Sequence, residues 1–289
     1  MKPIQRILAA TDFSPLGNAA VERAVMLAAR KKAELQVVHA IPKLSTLTAI
    51  LGTGDSLQEP LRAAAQEHLE DLMRQAGAGA ATVHAVVLEG SATAVISKAE
   101  YEFRPDLIVI GAHAKGAVRQ FFLGGTASRI LAYASCPVLV VRQPTQPDYS
   151  RVLAAVDLEP DSTRVVENAL AMSHHNRITV AHAFQSPFDS RLPYRAISEE
   201  QLERLGDNEA TKATSRMAEL IATHELAGAT LQTRVVRGHP NPVLFDLAAE
   251  MNADLIVALR HKGSRIDEAI MGSIARLLAY HAPCDVLLA

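Results

Sequence analysis

Gln5–Ser14 reads QRILAATDFS and Ser150–Glu159 reads SRVLAAVDLE, each an apolar run that ends on an aspartate, Asp12 or Asp157. Repetition of this kind weighs more than local propensity, because each copy must build the same unit. Further matches follow in the same order. QVVHA (36–40) pairs with TVAHA (179–183), which sets His39 beside His182. VVLEGSATAVI (86–96) pairs with VVRGHPNPVLF (235–245) around Gly90 and Gly238. RPDLIVIG (104–111) pairs with NADLIVAL (252–259), and SCPVLVV (135–141) with APCDVLLA (282–289). The 289 residues thus divide into two copies, 1–142 and 151–289, joined across 143–150, where Pro144, Pro147 and polar neighbours read as a linker.

Every landmark holds a short, β-branched apolar run bounded by polar, Gly or Pro positions, the pattern of a strand buried on both faces. Helical periods lie between them. Ser14 is placed to cap a helix with Pro15 at its first position, followed by Val21, Ala24, Val25 and Ala28 at helical spacing. Leu61, Ala65, Leu69, Leu72 and Met73 mark a second helix, Ala92, Val95, Ile96 and Ala99 a third, and Thr126 to Tyr133 a fourth. The second copy repeats the series with Val165 to Leu170, then Leu202 to Leu226 after the capping-box-like Ser198-Glu199-Glu200-Gln201, then Val243 to Met251, then Ile274 to Tyr280. Strands alternating with helices imply parallel pairing through right-handed crossovers. The fold class is therefore α/β: two tandem open parallel sheets of five strands, each flanked by helices. Segments 42–60 and 185–197 show no period and read as surface loops or lids.

Composition narrows the function classes. With 49% hydrophobic and 21% charged residues the chain can bury a substantial core. A formal net charge of -2 gives no global field for a polyanion, which argues against nucleic acid as the main partner. The N-terminus lacks the apolar run of a secretory signal and no stretch has membrane-span length, so the expected location is cytoplasmic and no membrane partner is expected. Cys136 and Cys284 occupy equivalent places and read as small buried hydrophobes in equivalent strands rather than a disulfide. No Cys or His pair has zinc-site spacing, and neither a P-loop lysine nor a Gly-x-Ser-x-Gly elbow occurs, so no metal ligand or catalytic residue is assigned.

In open parallel sheets ligands settle beyond the carboxyl ends of the strands. There the first copy places Ala10-Thr11-Asp12, then Gly111-Ala112-His113-Ala114-Lys115-Gly116, and then Gly124-Gly125-Thr126 opening the last helix. Small residues let backbone N–H groups approach an anion, and the helix N-terminus favours negative charge. Asp12 is suited to a base or ribose, and Lys115 to a phosphate. The bland readings stand beside these. The glycines can be turn formers, Asp12 a helix cap, His113 a structural histidine, and His39 and His182 satisfied strand-end groups.

ILAATDFSP, VVHAI, the Gly90 turn, PDLIVIGAH, and LGG followed by CPVLVV together resemble the universal stress protein family, and two such copies cover nearly the whole chain. The resemblance implies a Rossmann-like, adenine nucleotide alpha hydrolase-like sheet in the order 3-2-1-4-5, with the ends of strands one and four adjacent. It further implies binding of ATP or another adenine nucleotide, with or without Mg2+, at Ala10, Thr11, Asp12, Ala40, Gly111, His113, Ala114, Lys115, Gly124, Gly125 and Thr126. The phosphate motif of nucleotide-binding members is Gly, two residues, Gly, nine residues, Gly, then Ser or Thr. The first copy departs from it at Ala114 and Gly125. The second copy presents Leu259, Lys262, Gly272 and Ser273 there, which leaves a weaker site at Asp157, Gly272 and Ser273. Arg260, His261, Lys262 and Arg265 form a basic loop suited to an acidic group or to solvent. Pairing through the last strands is implied too, as a pseudo-dimer within the chain, with homodimerisation open. Three functions follow as expectations: regulatory nucleotide binding in a stress response, a nucleotide-free interaction scaffold, or a slow ATPase or ATP-dependent transferase.

Overall fold

The structure is a computed structural model that describes residues 3–43, 57–78, 82–114, 121–144, 148–185, 199–222, 229–260 and 272–289. It comprises two compact units that divide between Pro147 and Asp148. In the first, β1 (Arg6–Thr11), α1 (Pro15–Lys31), β2 (Glu34–Ile41), α2 (Gln58–Gln75), β3 (Val83–Glu89), α3 (Ala92–Phe103) and β4 (Leu107–Gly111) follow one another. A two-residue antiparallel pair, β5 (His113–Ala114) with β6 (Phe121–Phe122), precedes α4 (Gly125–Tyr133) and β7 (Val138–Val141). The main sheet runs β3-β2-β1-β4-β7, every pairing parallel. Counted without the small pair, this is the order 3-2-1-4-5.

The second unit repeats the plan with β8 (Val152–Ala155), α5 (Ser162–Met172), β9 (Arg177–Phe184), α6 (Glu199–Ala222), β10 (Thr230–Arg237), α7 (Pro240–Glu250), β11 (Leu255–Ala258), α8 (Ser273–His281) and β12 (Asp285–Leu288). Its sheet runs β10-β9-β8-β11-β12, again parallel. Strand registers equate the copies residue by residue. Ala10 faces Ile110 and Ala155 faces Ala258, so Gly111 of the first copy corresponds to Leu259 of the second.

The central strands earn their burial from composition. Ile7, Leu8, Ala9, Leu107, Ile108 and Val109 are at most 1% exposed, as β-branched and aliphatic runs covered on both faces should be. Where β1 begins, the Asp106 carboxylate accepts the N–H groups of Gln5 and Arg6 at 3.0 and 3.1 Å. Asp254 does the same for Ser150 and Arg151 ahead of β8, and also takes the Ser150 hydroxyl. These carboxylates satisfy backbone donors that the ladder leaves over.

Topology assigns the helices to faces. The crossovers β1 to β2 and β2 to β3 step the same way across the sheet, so right-handedness puts α1 and α2 on one face. The chain then steps the opposite way through β4 to β7, which puts α3 and α4 on the other. Contacts of α1 with α2 and of α3 with α4 agree.

Helix starts follow the expected chemistry. Ser14 caps α1, its hydroxyl accepting the Gly17 N–H at 3.1 Å, with Pro15 next. Ser91 caps α3 in the same way through Ala94. Ser198 and residues 223–226 of the expected sixth helix lie outside the described residues, as do 44–56 and 186–197 of the two aperiodic segments. Within the latter, Gln58 to Pro60 belong to α2. Two details differ from expectation. Cys136 and Cys284 sit in the turns just ahead of β7 and β12, not within the strands, and Cys136 is only half-buried. At the end of the stretch that reads as a linker, Tyr149 is buried, its hydroxyl donating to Asp285 at 2.6 Å.

Candidate functional site

Where β1 and β4 lie side by side, their following helices leave to opposite faces, and a crevice opens beyond the strand ends. In the first unit it is a cleft of about 390 Å3. Ala10, Thr11 and Asp12 come from the end of β1, Ala40 from β2, Gly111 from β4, and Gly124, Gly125 and Thr126 from the start of α4. Eight of the expected residues thus share one cavity. His113 and Ala114 lie in β5, outside the described lining, and Lys115 lies outside the described residues. The sequence reading missed Ser14, Gly17, Val38, His39, Val95, Ile96, Ala112 and Ile130, which also line the cleft. Their signal was positional: they flank the strand ends or open α1, α3 and α4.

Small residues are required here for two different reasons. A Cβ on Gly111 would fall 2.4 Å from the Leu16 carbonyl oxygen and 2.7 Å from the Gly17 nitrogen, so this glycine lets β4 touch the start of α1. A Cβ on Gly17 would fall 2.6 Å from Asp12 Oδ1. By contrast, a Cβ on Gly125 would meet nothing within 4 Å. Gly125 is the first residue of α4, and Gly124, in extended conformation at φ -64°, is its cap with no side-chain hydrogen bond. No side chain caps the first N–H groups of α4, and Gly124, Gly125 and Thr126 line the cleft, the arrangement that receives an anion. The Asp12 carboxylate accepts the Ser14 N–H at 3.0 Å, an Asx turn, while the cap of α1 is Ser14 itself. Capping is thus not its function.

The second unit has filled the same place. Its crevice is about 100 Å3 and is lined by Ala155, Val156, Asp157, Leu259 and Ile274, among others. Leu259 stands where Gly111 leaves room, and Ile274 where Thr126 stands. Asp157 is engaged locally: its Oδ1 accepts the Glu159 N–H at 3.0 Å and the Ser162 hydroxyl at 2.8 Å. Ser162 is the counterpart of Gly17. Gly272 and Ser273 still open α8 as Gly124 and Gly125 open α4, but only Ile274 of that start is among the lining residues. His261, Lys262 and Arg265 lie outside the described residues, and Arg260 is buried.

His39 and His182 are strand-end groups in both copies. Their Nδ1 atoms lie 2.9 Å from the carbonyl oxygens of Thr11 and Val156. A carbonyl can only accept, so each neutral ring carries its proton on Nδ1. Among the described residues no cluster of three or more His, Cys, Asp or Glu side chains could hold a metal, and no helix is long and apolar enough to cross a membrane.

Two parallel α/β units with a ligand-sized crevice at the topological switch point of the first define a tandem protein of the doubly wound class. The sequence profile of the universal stress protein family matches residues 3–142 and again 148–289. The chain belongs to that family. A universal stress protein of Methanocaldococcus jannaschii is 29% identical over 48% of this chain and 83% of its own length. Universal stress protein A homolog 2 of Coxiella burnetii is 30% identical over 49% of this chain and 97% of its own. Each relative thus corresponds to about half of the chain. A crystal structure of a universal stress protein from Archaeoglobus fulgidus superposes with a TM-score of 0.69 at 19% identity, covering 98% of this chain and 97% of that one, a likeness of fold.

Proposed function

We propose that the first unit is a regulatory binder of ATP or another adenine nucleotide, acting in a cytoplasmic stress response, and that the second unit binds none. The observation that carries this reading is the contrast in volume. About 390 Å3 lies within the range of about 300–1,000 Å3 usual for small-molecule sites, whereas about 100 Å3 lies well below it. The residues present suit such a ligand. Val38, Ala40, Val95 and Ile96 offer an apolar slot for a base, Asp12 accepts from ribose hydroxyls, and the N–H groups of Gly125 and Thr126 receive phosphate. Gly111 positions the cleft wall and does not itself need to touch the ligand. Bound Mg2+ would neutralise phosphate charge, the part that Lys or Arg side chains play in other nucleotide sites.

Calorimetric titration of the full chain with ATP and with AMP tests the reading. The expected result is one saturable site per chain that Asp12→Ala weakens by about tenfold or more, the loss of a hydrogen bond involving a charged group. Two equivalent sites per chain would contradict the assignment to the first unit. No heat at millimolar nucleotide would favour an interaction scaffold, the reading to which Ala114 and the missing hydroxyl at Gly125 lend weight. Steady turnover of ATP abolished by Asp12→Ala would favour an enzyme instead.

We propose further that the terminal strands Val138–Val141 and Asp285–Leu288 are the pairing elements of their units. Each is the last strand in its sheet, short and apolar, the kind of edge that natural proteins cover. Replacing Leu139 with lysine should change the oligomeric state or compactness seen by small-angle scattering. An unchanged profile would speak against this pairing.

A further inference from the structure

The two units also differ on the opposite face of the sheet, the face of α1 and α2 in the first unit. The residue after the aspartate adopts a left-handed backbone in both copies, with φ of 61° at Phe13 and 62° at Leu158. That geometry aims its side chain at the histidine of the second strand and at the helix that follows. In the first unit Phe13 stacks on His39 with centroids 4.1 Å apart and meets His68 of α2 edge-on at 4.4 Å. The three rings form a plug.

The spacing of buried residues equates α6 with α2. Ala65 and Leu69 correspond to the buried Ala213 and Met217, and Leu72 to the half-buried Leu220, so His68 corresponds to Arg216. In the second unit the plug is therefore rewritten as Leu158, His182 and Arg216. A smaller aliphatic and a flexible cation replace two rings. The result is a crevice of about 430 Å3 whose lining includes Leu158, His182, Phe184, Glu209, Lys212 and Arg216, with Ala213 behind them in α6.

We propose that this crevice binds a small amphipathic carboxylate. Leu158, Phe184 and Ala213 supply an apolar floor. Above it, Arg216 is held in place by its Nη2, which donates to the Leu158 carbonyl at 2.7 Å and lies 3.5 Å from Glu159. Among the described residues its Nε and Nη1 have no partner, and a planar fork with donors left over matches a carboxylate. Lys212 pairs with Glu209 at 2.9 Å, an exposed contact that an incoming anion can share. With Arg216 set against Glu159 and Lys212 against Glu209, the crevice carries no large positive field, which favours a single carboxylate on an apolar body over a polyanion such as a nucleotide. The site shares only His182 with the filled crevice at Leu259 and Ile274, and it does not depend on nucleotide binding by the first unit.

The test uses the full chain, phenylacetate as probe and its neutral amide, phenylacetamide, as control, read by amide chemical-shift mapping. Saturable shifts at Leu158, Phe184 and Ala213 are expected with phenylacetate, and at least fivefold weaker binding with the amide. The double variant Leu158→Phe with Arg216→His restores the plug of the first unit, and Phe13 shows that this backbone accepts a phenylalanine. It should lose binding by tenfold or more while the spectrum stays dispersed. Should the double variant lose its fold, Arg216→Gln serves, and it should abolish the preference for the carboxylate over the amide. No saturation below about 20 mM, a range that admits only negligible affinity, would overturn the proposal. So would equal binding of the amide, shifts confined to the first unit, or undiminished binding by the folded double variant.

Discussion

Gly111→Ala is the substitution with the most to decide. The added Cβ would sit 2.4 Å from the Leu16 carbonyl oxygen, 2.5 Å from its carbon and 2.7 Å from the Gly17 nitrogen. All three are backbone atoms, so no side chain can swing aside. The contact must open by roughly 1 Å to reach ordinary separation, which moves the start of α1 away from the end of β4. Overpacking of this kind costs about 2–3 kcal/mol. At about 2–4 °C per kcal/mol for a unit of this size, the first unit should melt roughly 5–10 °C lower. Differential scanning calorimetry of the full chain is the assay, with Gly125→Ala as the matched control because nothing lies within 4 Å of its added Cβ. The control should melt within about 2 °C of the original chain, since a surface change without a clash alters stability by about 0.5 kcal/mol or less. A Gly111→Ala protein that melts unchanged would refute the reasoning. So would equal destabilisation by both variants, which would mean that glycine itself, and not the contact with α1, is what the site needs.

Gly125→Ser should leave melting unchanged and tighten nucleotide binding by about fivefold, through one added hydrogen bond of about 1 kcal/mol, as titration calorimetry would show. Asp157→Ala removes the acceptor of the Glu159 N–H and the Ser162 hydroxyl. It should cost the second unit about 1–2 kcal/mol in urea unfolding without altering nucleotide affinity. Asp254→Ala strips the acceptor from two backbone N–H groups and a hydroxyl ahead of β8. It should cost about 2–3 kcal/mol by the same measurement, because those donors are left partly buried and unpaired.

Strands and most helix spans were legible because β-branched runs and helical periods recur twice, and a repeated pattern averages out local ambiguity; the strand order came from the family resemblance alone. The alignment of Gly111 with Leu259 was legible too, and it falls where the second crevice is narrowed to about 100 Å3. What Asp157 does was not. Its partner Ser162 stands five positions along, and nothing in the spelling separates it from Gly17 until the first turn of each helix is seen. The reason for Gly111 was likewise hidden, since a close approach of two backbones leaves no periodic trace. The plug of Phe13, His39 and His68 joins three elements, and only tertiary packing brings them together.

Leu158 and Phe13 share a backbone conformation that glycine or asparagine would adopt at less cost. Neither copy has taken that relief. Because the left-handed bend is the same in both, its cost does not change when the side chain does, so the two settings differ in side-chain packing and not in backbone strain. A duplicated gene can explore such a position cheaply. One base change can turn a phenylalanine codon into a leucine codon, and at this corner that exchange, together with the one between His68 and Arg216, separates a filled surface from a hollow one. The bend thus acts as an evolutionary adjusting screw, present in two settings within a single polypeptide.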